Sequence, residues 1–232
     1  MKRLLDVVVA LTGLLVTAPL LLPILALIWL QDFHSPFYIA PRVGRNGRDF
    51  RMVKLRSMVM GADRSGVDST SNKDPRITPI GKFVRAYKLD ELGQLWNVLL
   101  GDMTLVGPRP NVRRAVEQYT PMEQRLLLAK PGITDISSIV FSDEGEILRV
   151  SADPDRDYDQ LIRPWKSRLG IFYVERHSPL LDLRLILLTA IAIVNRRIAL
   201  DRMQSILRRM GADEALVRIS GRQEELVPCS PP

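Results

Sequence analysis

The longest hydrophobic segment of the chain lies near its N-terminus. Residues 7–30, VVVALTGLLVTAPLLLPILALIWL, carry no charged side chain, and about 20 apolar residues suffice for a helix that crosses a bilayer. Pro19 and Pro23 lie near its middle, where each removes a backbone N–H donor and favours a bend. Basic residues flank both ends, and the positive-inside rule places both flanks in the cytoplasm. The residues leave two structures open: a single span and a re-entrant helix–break–helix segment.

Two weaker patterns follow near the C-terminus. Residues 185–194, LILLTAIAIV, are too few to span a bilayer, so they predict a core helix or a helix in the membrane interface. Residues 199–210, ALDRMQSILRRM, predict an amphipathic basic helix that lies on the membrane or packs on the domain. From Gly211 onward we expect a loosely ordered tail.

The middle of the chain predicts a short β-hairpin. In residues 42–57, RVGRNGRDFRMVKLRS, Asn46-Gly47 suits the two positive φ angles of a type I′ turn. Met52, Lys54 and Arg56 then share one face of the second strand at period two. The two cations on that face are suited to a phosphate, although a solvated strand face explains the same pattern. Residues 61–79 predict a long loop.

Residues 88–110, KLDELGQLWNVLLGDMTLVGPRP, predict a helix followed by a loop. At 100° per residue, Asp90, Gln94 and Asn97 fall opposite an apolar face made by Leu92, Leu95, Trp96 and Leu99. Asp90 and Glu91 then lie at the helix start, where carboxylates interact favourably with free N–H groups and the helix dipole. That stabilising role alone would explain the pair.

Two arginines suggest a chemical role for the same pair. Arg85 precedes it, and Arg109 follows it in a Pro-flanked loop. Arginine binds phosphate oxygens in a forked geometry, and a carboxylate beside arginines stays ionised. Such a carboxylate can hold Mg²⁺ or attack phosphorus, so the set fits phosphoryl transfer.

Composition narrows the class of partner. The chain has 232 residues, a net charge of +7 and 25% charged residues, which suggests one domain with an appended segment and an anionic ligand or membrane surface. Aromatic residues are only 6% and do not alternate with the basic ones, which argues against nucleic acid. A single cysteine excludes an internal disulfide. The P-loop, dinucleotide and zinc-protease motifs are missing from the sequence, which leaves phosphoryl transfer open.

The run from Asp74 to Pro110, DPRITPIGKFVRAYKLDELGQLWNVLLGDMTLVGPRP, closely resembles the bacterial sugar transferase family, the monotopic phosphoglycosyl transferases. Other blocks resemble this family in the same order, and together they cover residues 2–195: the segment around Ala18-Pro19, residues 41–58, residues 130–134 and residues 173–189. Two positions depart from the family pattern. Gly93 replaces the proline of Asp-Glu-Leu-Pro-Gln, and Asp135 replaces the last glycine of Gly-Ile-Thr-Gly.

The resemblance implies a reaction and a site. Members of this family move a sugar 1-phosphate from a UDP-sugar to undecaprenyl phosphate and release UMP, in the first membrane step of surface glycan synthesis. It implies that Asp90 is the nucleophile, that Glu91 assists it, and that both hold Mg²⁺. The residues expected to bind substrate are Arg85, Arg109, Lys54, Arg56 and Asp182.

The resemblance also implies an architecture. We expect an α+β, mostly helical fold with a re-entrant membrane hairpin at residues 1–36, a catalytic domain with interfacial helices at 37–198, and an amphipathic helix and tail at 199–232. We expect a minimal catalytic form at the cytoplasmic face of the bacterial inner membrane, bound to membrane lipid, as a homodimer and without nucleic acid. The alternative is a membrane-anchored basic scaffold or nucleic-acid-binding protein without catalysis.

Overall fold

The computed structural model describes residues 2–66 and 69–232 and shows a mostly helical fold with two small β-sheets. The strands are β1 (Phe37–Val43), β2 (Asp49–Leu55), β3 (Thr104–Val106) and β4 (Gly132–Thr134). The helices are α1 (Lys2–Leu30), α2 (Pro79–Ala86), α3 (Gln94–Leu100), α4 (Arg113–Val116), α5 (Ile136–Val140), α6 (Glu144–Ile147), α7 (Pro154–Asp157), α8 (Arg163–Arg176), α9 (Pro179–Val194), α10 (Arg196–Arg209) and α11 (Glu214–Gly221).

The N-terminal apolar segment forms one continuous helix. Pro19 and Pro23 lie inside α1, so the structure does not show the interruption that was predicted at these prolines. One narrow face of α1 is buried, at Asp6, Ala10, Leu21, Ile24 and Ile28. The remaining surface is largely exposed and apolar, at Leu4, Val8, Leu11, Leu15, Val16, Leu20, Leu22, Leu27, Trp29 and Leu30. Within the described ranges, α1 is the helix long and apolar enough to cross a membrane.

Polar contacts fix the start of α1 to the rest of the fold. The Lys2 ammonium pairs with the carboxylate of Asp182 in α9. The buried Asp6 carboxylate accepts hydrogen bonds from the Thr104 hydroxyl at 2.7 Å and from the Leu105 N–H at 3.1 Å. Because a buried carboxylate is costly unless it is hydrogen-bonded, these contacts specify how α1 begins.

A second set of polar contacts fixes the end of α1. The Arg56 side chain, 5% exposed, donates to both carboxylate oxygens of Asp32 at 2.5 and 2.7 Å, and to the carbonyls of Ile28 at 3.2 Å and Ser35 at 2.8 Å. The Arg56 hydrogen bonds lower the pKa of Asp32 to about 2. Arg56 was expected to bind substrate, but its guanidinium is occupied with the end of α1. It lies beyond the end of β2 rather than on the strand face it was predicted to share with Lys54.

The sequence predicted one of the two sheets and not the other. β1 and β2 pair antiparallel from Phe37–Leu55 to Val43–Asp49, and Asn46 and Gly47 have φ angles of 58° and 74°, which confirms the hairpin and its turn. β3 and β4 pair in parallel, and this pairing was not predicted. Since the carboxyl ends of parallel strands lie side by side, the residues that follow β3 and β4 meet at one edge.

The C-terminal third completes the core. Met203 and Leu207 of α10 and Val217 of α11 belong to the same buried cluster as Ala10 of α1, so side chains of α1, α10 and α11 share this core. α9 buries Leu181, Leu185 and Leu188. Its other face presents an exposed apolar stripe at Leu180, Leu183, Leu187, Ile193 and Val194.

The predicted loosely ordered tail is wrong for residues 214–221, which form α11. Asp213 caps this helix by accepting from the Ala215 N–H at 2.8 Å. Beyond it, Arg168 donates to the Ser230 carbonyl at 2.8 Å and the Thr120 hydroxyl donates to the Pro232 carbonyl at 2.5 Å. The tail therefore packs along α8 through partners that are distant in sequence.

Candidate active site

The acidic pair lies on a tight turn between α2 and α3. Lys88 has a positive φ of 56°, which reverses the chain after α2. Residues 89–93 then form a 3₁₀ turn, with Asp90 and Glu91 in its first turn. The prediction that the pair opens a helical segment is confirmed, although the segment begins as a 3₁₀ turn.

The 3₁₀ turn and the start of α3 pack against strand β2. The Asn97 side chain accepts from the Val53 N–H at 2.8 Å and donates to the Arg51 carbonyl at 2.7 Å. A Cβ on Gly93 would lie only 3.0 Å from the Val53 carbonyl oxygen and 3.2 Å from the Lys54 Cα. The glycine therefore permits a close approach of the acidic turn to the strand that carries Lys54.

The predicted faces of this helix are only partly correct. Leu95 is buried as expected, but Trp96 is 53% exposed, and the polar side chains of Gln94 and Asn97 are buried. The helical wheel assumed that the apolar face of this helix packs on the core. α3 instead packs its polar face on β2, where the Asn97 side chain is hydrogen-bonded to the backbone of Val53 and Arg51.

Asp90 is a buried carboxylate that faces a lysine. It is 8% exposed, and its Oδ2 lies 3.8 Å from the Lys54 Nζ. Burial raises the pKa of Asp90, while the charge of Lys54 and, more weakly, that of Arg85 oppose that rise. Burial likewise lowers the pKa of Lys54, against the charge of Asp90. Each group therefore favours the charged form of the other in a site that disfavours both charges.

Glu91 is held by Arg109. The guanidinium donates to the two Glu91 carboxylate oxygens at 3.0 and 3.2 Å, and to the carbonyl of Ile133. Burial would raise the pKa of Glu91, but the charges of Arg109 and Lys54 outweigh it and lower that pKa. The forked pairing keeps Glu91 ionised and fixes its orientation beside Asp90.

The structure brings together some of the predicted site residues and not others. Asp90, Glu91, Lys54 and Arg109 form one cluster, and Arg85, half-buried at the end of α2, acts on Asp90 through its charge. Asp182 instead pairs with Lys2 and accepts a hydrogen bond from the Tyr173 hydroxyl at 2.6 Å. Together with Arg56, it holds α1 in place, and neither side chain has a contact with the cluster among the described residues.

Sequence reasoning did not assign a role to three charged residues near the cluster. Asp135 raises the pKa of Arg109 through its charge, after the larger effects of burial and Glu91. Glu144 pairs with Lys166 at 2.5 Å, and the charge of Arg109 acts on both of them. Asp135 follows a strand and precedes two serines, a typical helix N-cap signal. No local signal links Glu144 to Lys166, because they belong to different helices.

Comparison with known proteins places this cluster in a family. The family model described as bacterial sugar transferase matches residues 1–196. The chain belongs to the bacterial sugar transferase family. Similar proteins include a UDP-N-acetylgalactosamine-undecaprenyl-phosphate N-acetylgalactosaminephosphotransferase of Aeromonas hydrophila, which is 32% identical over 74% of this chain and 42% of its own length. Galactosyl transferase CpsE of Streptococcus agalactiae is 37% identical over 81% of this chain and 41% of its own length.

A third relative of this family is the undecaprenyl-phosphate galactose phosphotransferase of Salmonella typhimurium. It is 33% identical over 84% of this chain and 41% of its own length. The chain thus spans about two-fifths of the length of each of these three relatives. The matched part includes the acidic pair and its arginines, since the family model extends from residue 1 to residue 196.

The donor set in this cluster fits Mg²⁺ when a phosphate-containing ligand supplies further oxygens. Among the described residues there is no group of three or more His, Cys, Asp or Glu side chains placed to hold a metal. Mg²⁺ in phosphoryl-transfer sites is commonly held by one or two carboxylates plus phosphate oxygens. Asp90 and Glu91 are adjacent carboxylates, and the Glu91 oxygens that accept from Arg109 each retain a lone pair.

Proposed function

We propose that the chain transfers a sugar 1-phosphate from a UDP-sugar to undecaprenyl phosphate and releases UMP. The observation that carries the proposal is the buried Asp90 carboxylate, which faces Lys54 and lies beside the Arg109-bound Glu91, in a chain of the bacterial sugar transferase family. Two relatives are named as phosphotransferases that act with undecaprenyl phosphate.

The proposed mechanism has two displacements at one phosphorus atom. An Asp90 carboxylate oxygen attacks the sugar-bearing phosphorus, the bridging P–O bond to the uridine phosphate breaks, and UMP leaves. A phosphate oxygen of the lipid then attacks the same phosphorus, and the acyl–phosphate bond breaks to restore the carboxylate. Lys54 favours the ionised nucleophile at 3.8 Å. Arg85 and Arg109 bind the phosphate oxygens, and burial excludes competing water.

Mg²⁺, held by Asp90 and Glu91 together with substrate phosphates, would neutralise phosphate charge. Within the chain, Arg109 keeps Glu91 ionised, so its carboxylate would be available to coordinate the ion.

We further propose that α1 lies in the membrane with both ends at the cytoplasmic face. At 1.5 Å per residue, its 29 residues extend about 44 Å, well beyond the ~30 Å hydrocarbon core. Both ends bind the same domain, through Lys2 and Asp6 at one end and Arg56 and Asp32 at the other. A straight span would separate these contacts by the width of the membrane. A bend at the prolines is compatible with a continuous helix.

The exposed apolar surface supports contact with inner-membrane lipid over a wide area. α9 presents its apolar stripe, and the exposed rings of Trp29 and Phe33 contact edge-to-face at the end of α1, with centroids 5.0 Å apart. Tryptophan and other amphipathic side chains are typical of the membrane–water interface. This surface would place the acidic pair near the level at which a lipid phosphate and a soluble nucleotide sugar meet.

The test is UMP release from a set of UDP-sugars by the purified full chain in detergent with undecaprenyl phosphate. The proposal predicts release that requires Mg²⁺ and is abolished by chelation and by Asp90→Asn. A scaffold or nucleic-acid-binding protein would release no UMP, and its nucleic-acid affinity would be indifferent to Asp90→Ala. Full turnover by Asp90→Asn would reject Asp90 as the nucleophile.

A further inference from the structure

Asp135 and Arg109 both lie beyond the carboxyl ends of two paired strands: Asp135 directly follows β4, and Arg109 is the third residue after β3. β3 and β4 run in parallel, with Val106 opposite Thr134. Beyond the strands, the Gly107 N–H donates to the Thr134 carbonyl at 3.0 Å, and the Gly132 N–H donates to the Pro108 carbonyl at 3.0 Å. Backbone hydrogen bonds therefore connect the loop that carries Arg109 to β4, the strand that directly precedes Asp135.

The contacts of Asp135 are internal to its own helix start. The side chain is 1% exposed. Its Oδ1 accepts from the Ser138 N–H at 2.7 Å, the Ser138 hydroxyl at 2.7 Å and the Ser137 hydroxyl at 2.8 Å, and its Oδ2 lies 3.0 Å from the same Ser137 hydroxyl. A carboxylate with these partners and this burial is not placed to touch substrate. It caps α5 and fixes the chain where β4 ends.

Arg109 interacts with β4 and with Asp135 in two different ways. Its guanidinium donates to the carbonyl of Ile133, in the middle of β4, as well as to Glu91. The negative charge of Asp135 then adds to that of Glu91 in favouring the charged guanidinium, against the effect of burial. Arg109 is thus held between one carboxylate that it binds directly and a second that acts through the end of β4.

We propose that Asp135 is a positioning residue for Arg109: it fixes the Ile133 carbonyl and supplies the second negative charge that holds the guanidinium against Glu91. The role in catalysis rests on the proposed function, whereas the structural coupling between Asp135 and Arg109 does not.

The test is a double-mutant cycle between the two positions. Asp135→Asn keeps an oxygen that can cap α5 and removes the charge, and Asp135→Ala removes both. Arg109→Gln removes the guanidinium. Each substitution and the Asp135→Asn/Arg109→Gln pair are made in the full chain in detergent, and both denaturant unfolding and kcat/KM for UMP release are measured.

The proposal predicts that Asp135→Asn lowers kcat/KM about tenfold when Arg109 is present and less than about twofold when Arg109→Gln is present, because the effect passes through the guanidinium. Asp135→Ala should lower it further. The same non-additivity is expected in the unfolding midpoints. The matched control is Asp153→Asn, which alters the cap of α7, where the carboxylate accepts from the Arg156 N–H at 3.1 Å; it should leave kcat/KM unchanged.

Equal effects of Asp135→Asn in both Arg109 backgrounds would overturn the proposal and reduce Asp135 to a helix cap. If no UDP-sugar supports turnover, the proposed function fails, and the unfolding cycle still decides the coupling. Additive unfolding midpoints would then reject it. If Arg109→Gln does not fold, Arg109→Met replaces it, since methionine keeps an apolar stem and removes the charge and the forked pairing with Glu91.

Discussion

The ion pair between Lys54 and Asp90 gives the sharpest prediction about the site. The Lys54 Nζ lies 3.8 Å from the Asp90 Oδ2, and the two side chains are 23% and 11% exposed. At an effective dielectric constant of about 20, two unit charges at this separation attract by roughly 4 kcal/mol, before the cost of burying them is subtracted. Lys54→Met keeps the apolar stem and removes this attraction. Burial of Asp90 is then no longer opposed by its nearest cation, so its pKa rises further.

In the proposed mechanism Asp90 must be ionised to attack, so a higher pKa of Asp90 shifts the acid limb of the pH–rate profile to higher pH. We expect Lys54→Met to lower single-turnover UMP release at neutral pH by at least about tenfold, with partial recovery as the pH rises. Lys54→Arg should retain the wild-type acid limb, and Lys88→Met, which alters an exposed lysine, should shift it little. A loss of the same size at every pH, with an unmoved acid limb, would refute this role for Lys54.

Three further predictions concern the scaffold around the site. Glu123 is 0% exposed and pairs with Arg163 at 2.9 Å. Burial would raise the pKa of Glu123, but its hydrogen bonds lower that pKa. The folding stability that this carboxylate contributes is therefore present above its ordinary pKa and is lost as the pH falls. Glu123→Gln should cost about 3 kcal/mol of unfolding free energy at neutral pH and less in acid; an equal cost at both pH values would contradict this. Asp182→Asn should lower stability by about 1 kcal/mol and expose the start of α1 to protease through loss of the Lys2 pair; unchanged proteolysis would reject the tether. Gly93→Ala should lower kcat about tenfold with the fold retained, because its Cβ displaces the acidic turn from β2; unchanged kcat would show that this close approach is dispensable.

The features that could be predicted from sequence are those with a local cause. The hairpin followed from Asn46-Gly47, whose positive φ angles are encoded in two adjacent residues. The acidic pair at the start of a helical segment followed from position alone. Its role as a nucleophile did not follow from spacing, because a carboxylate at a helix start is most often stabilising. That role came from the resemblance, and it stays a prediction, as do the homodimer and the domain boundaries.

The missed features depend on partners distant in sequence. Arg56 was predicted to bind phosphate from a strand face, but its guanidinium pairs with Asp32, which lies 24 residues away in the sequence. Lys2 pairs with Asp182, which lies 180 residues away in the sequence, and no hydrophobic periodicity predicts such a pair. β3 and β4 have three residues each, too few to show the alternation that identifies a strand. These long-range pairings decide which of the predicted polar residues lie in the cluster around Asp90 and which hold α1 in place.

The proposed mechanism requires a covalent bond between Asp90 and the transferred phosphate. Incubating the full chain with Mg²⁺ and an accepted UDP-sugar, without undecaprenyl phosphate, should trap the intermediate for intact-mass and peptide mass spectrometry. We expect a mass increase of one sugar phosphate on the peptide that contains Asp90, its loss on addition of the lipid phosphate, and no adduct in Asp90→Asn. An adduct on a different residue, or full turnover by Asp90→Asn, would contradict the account.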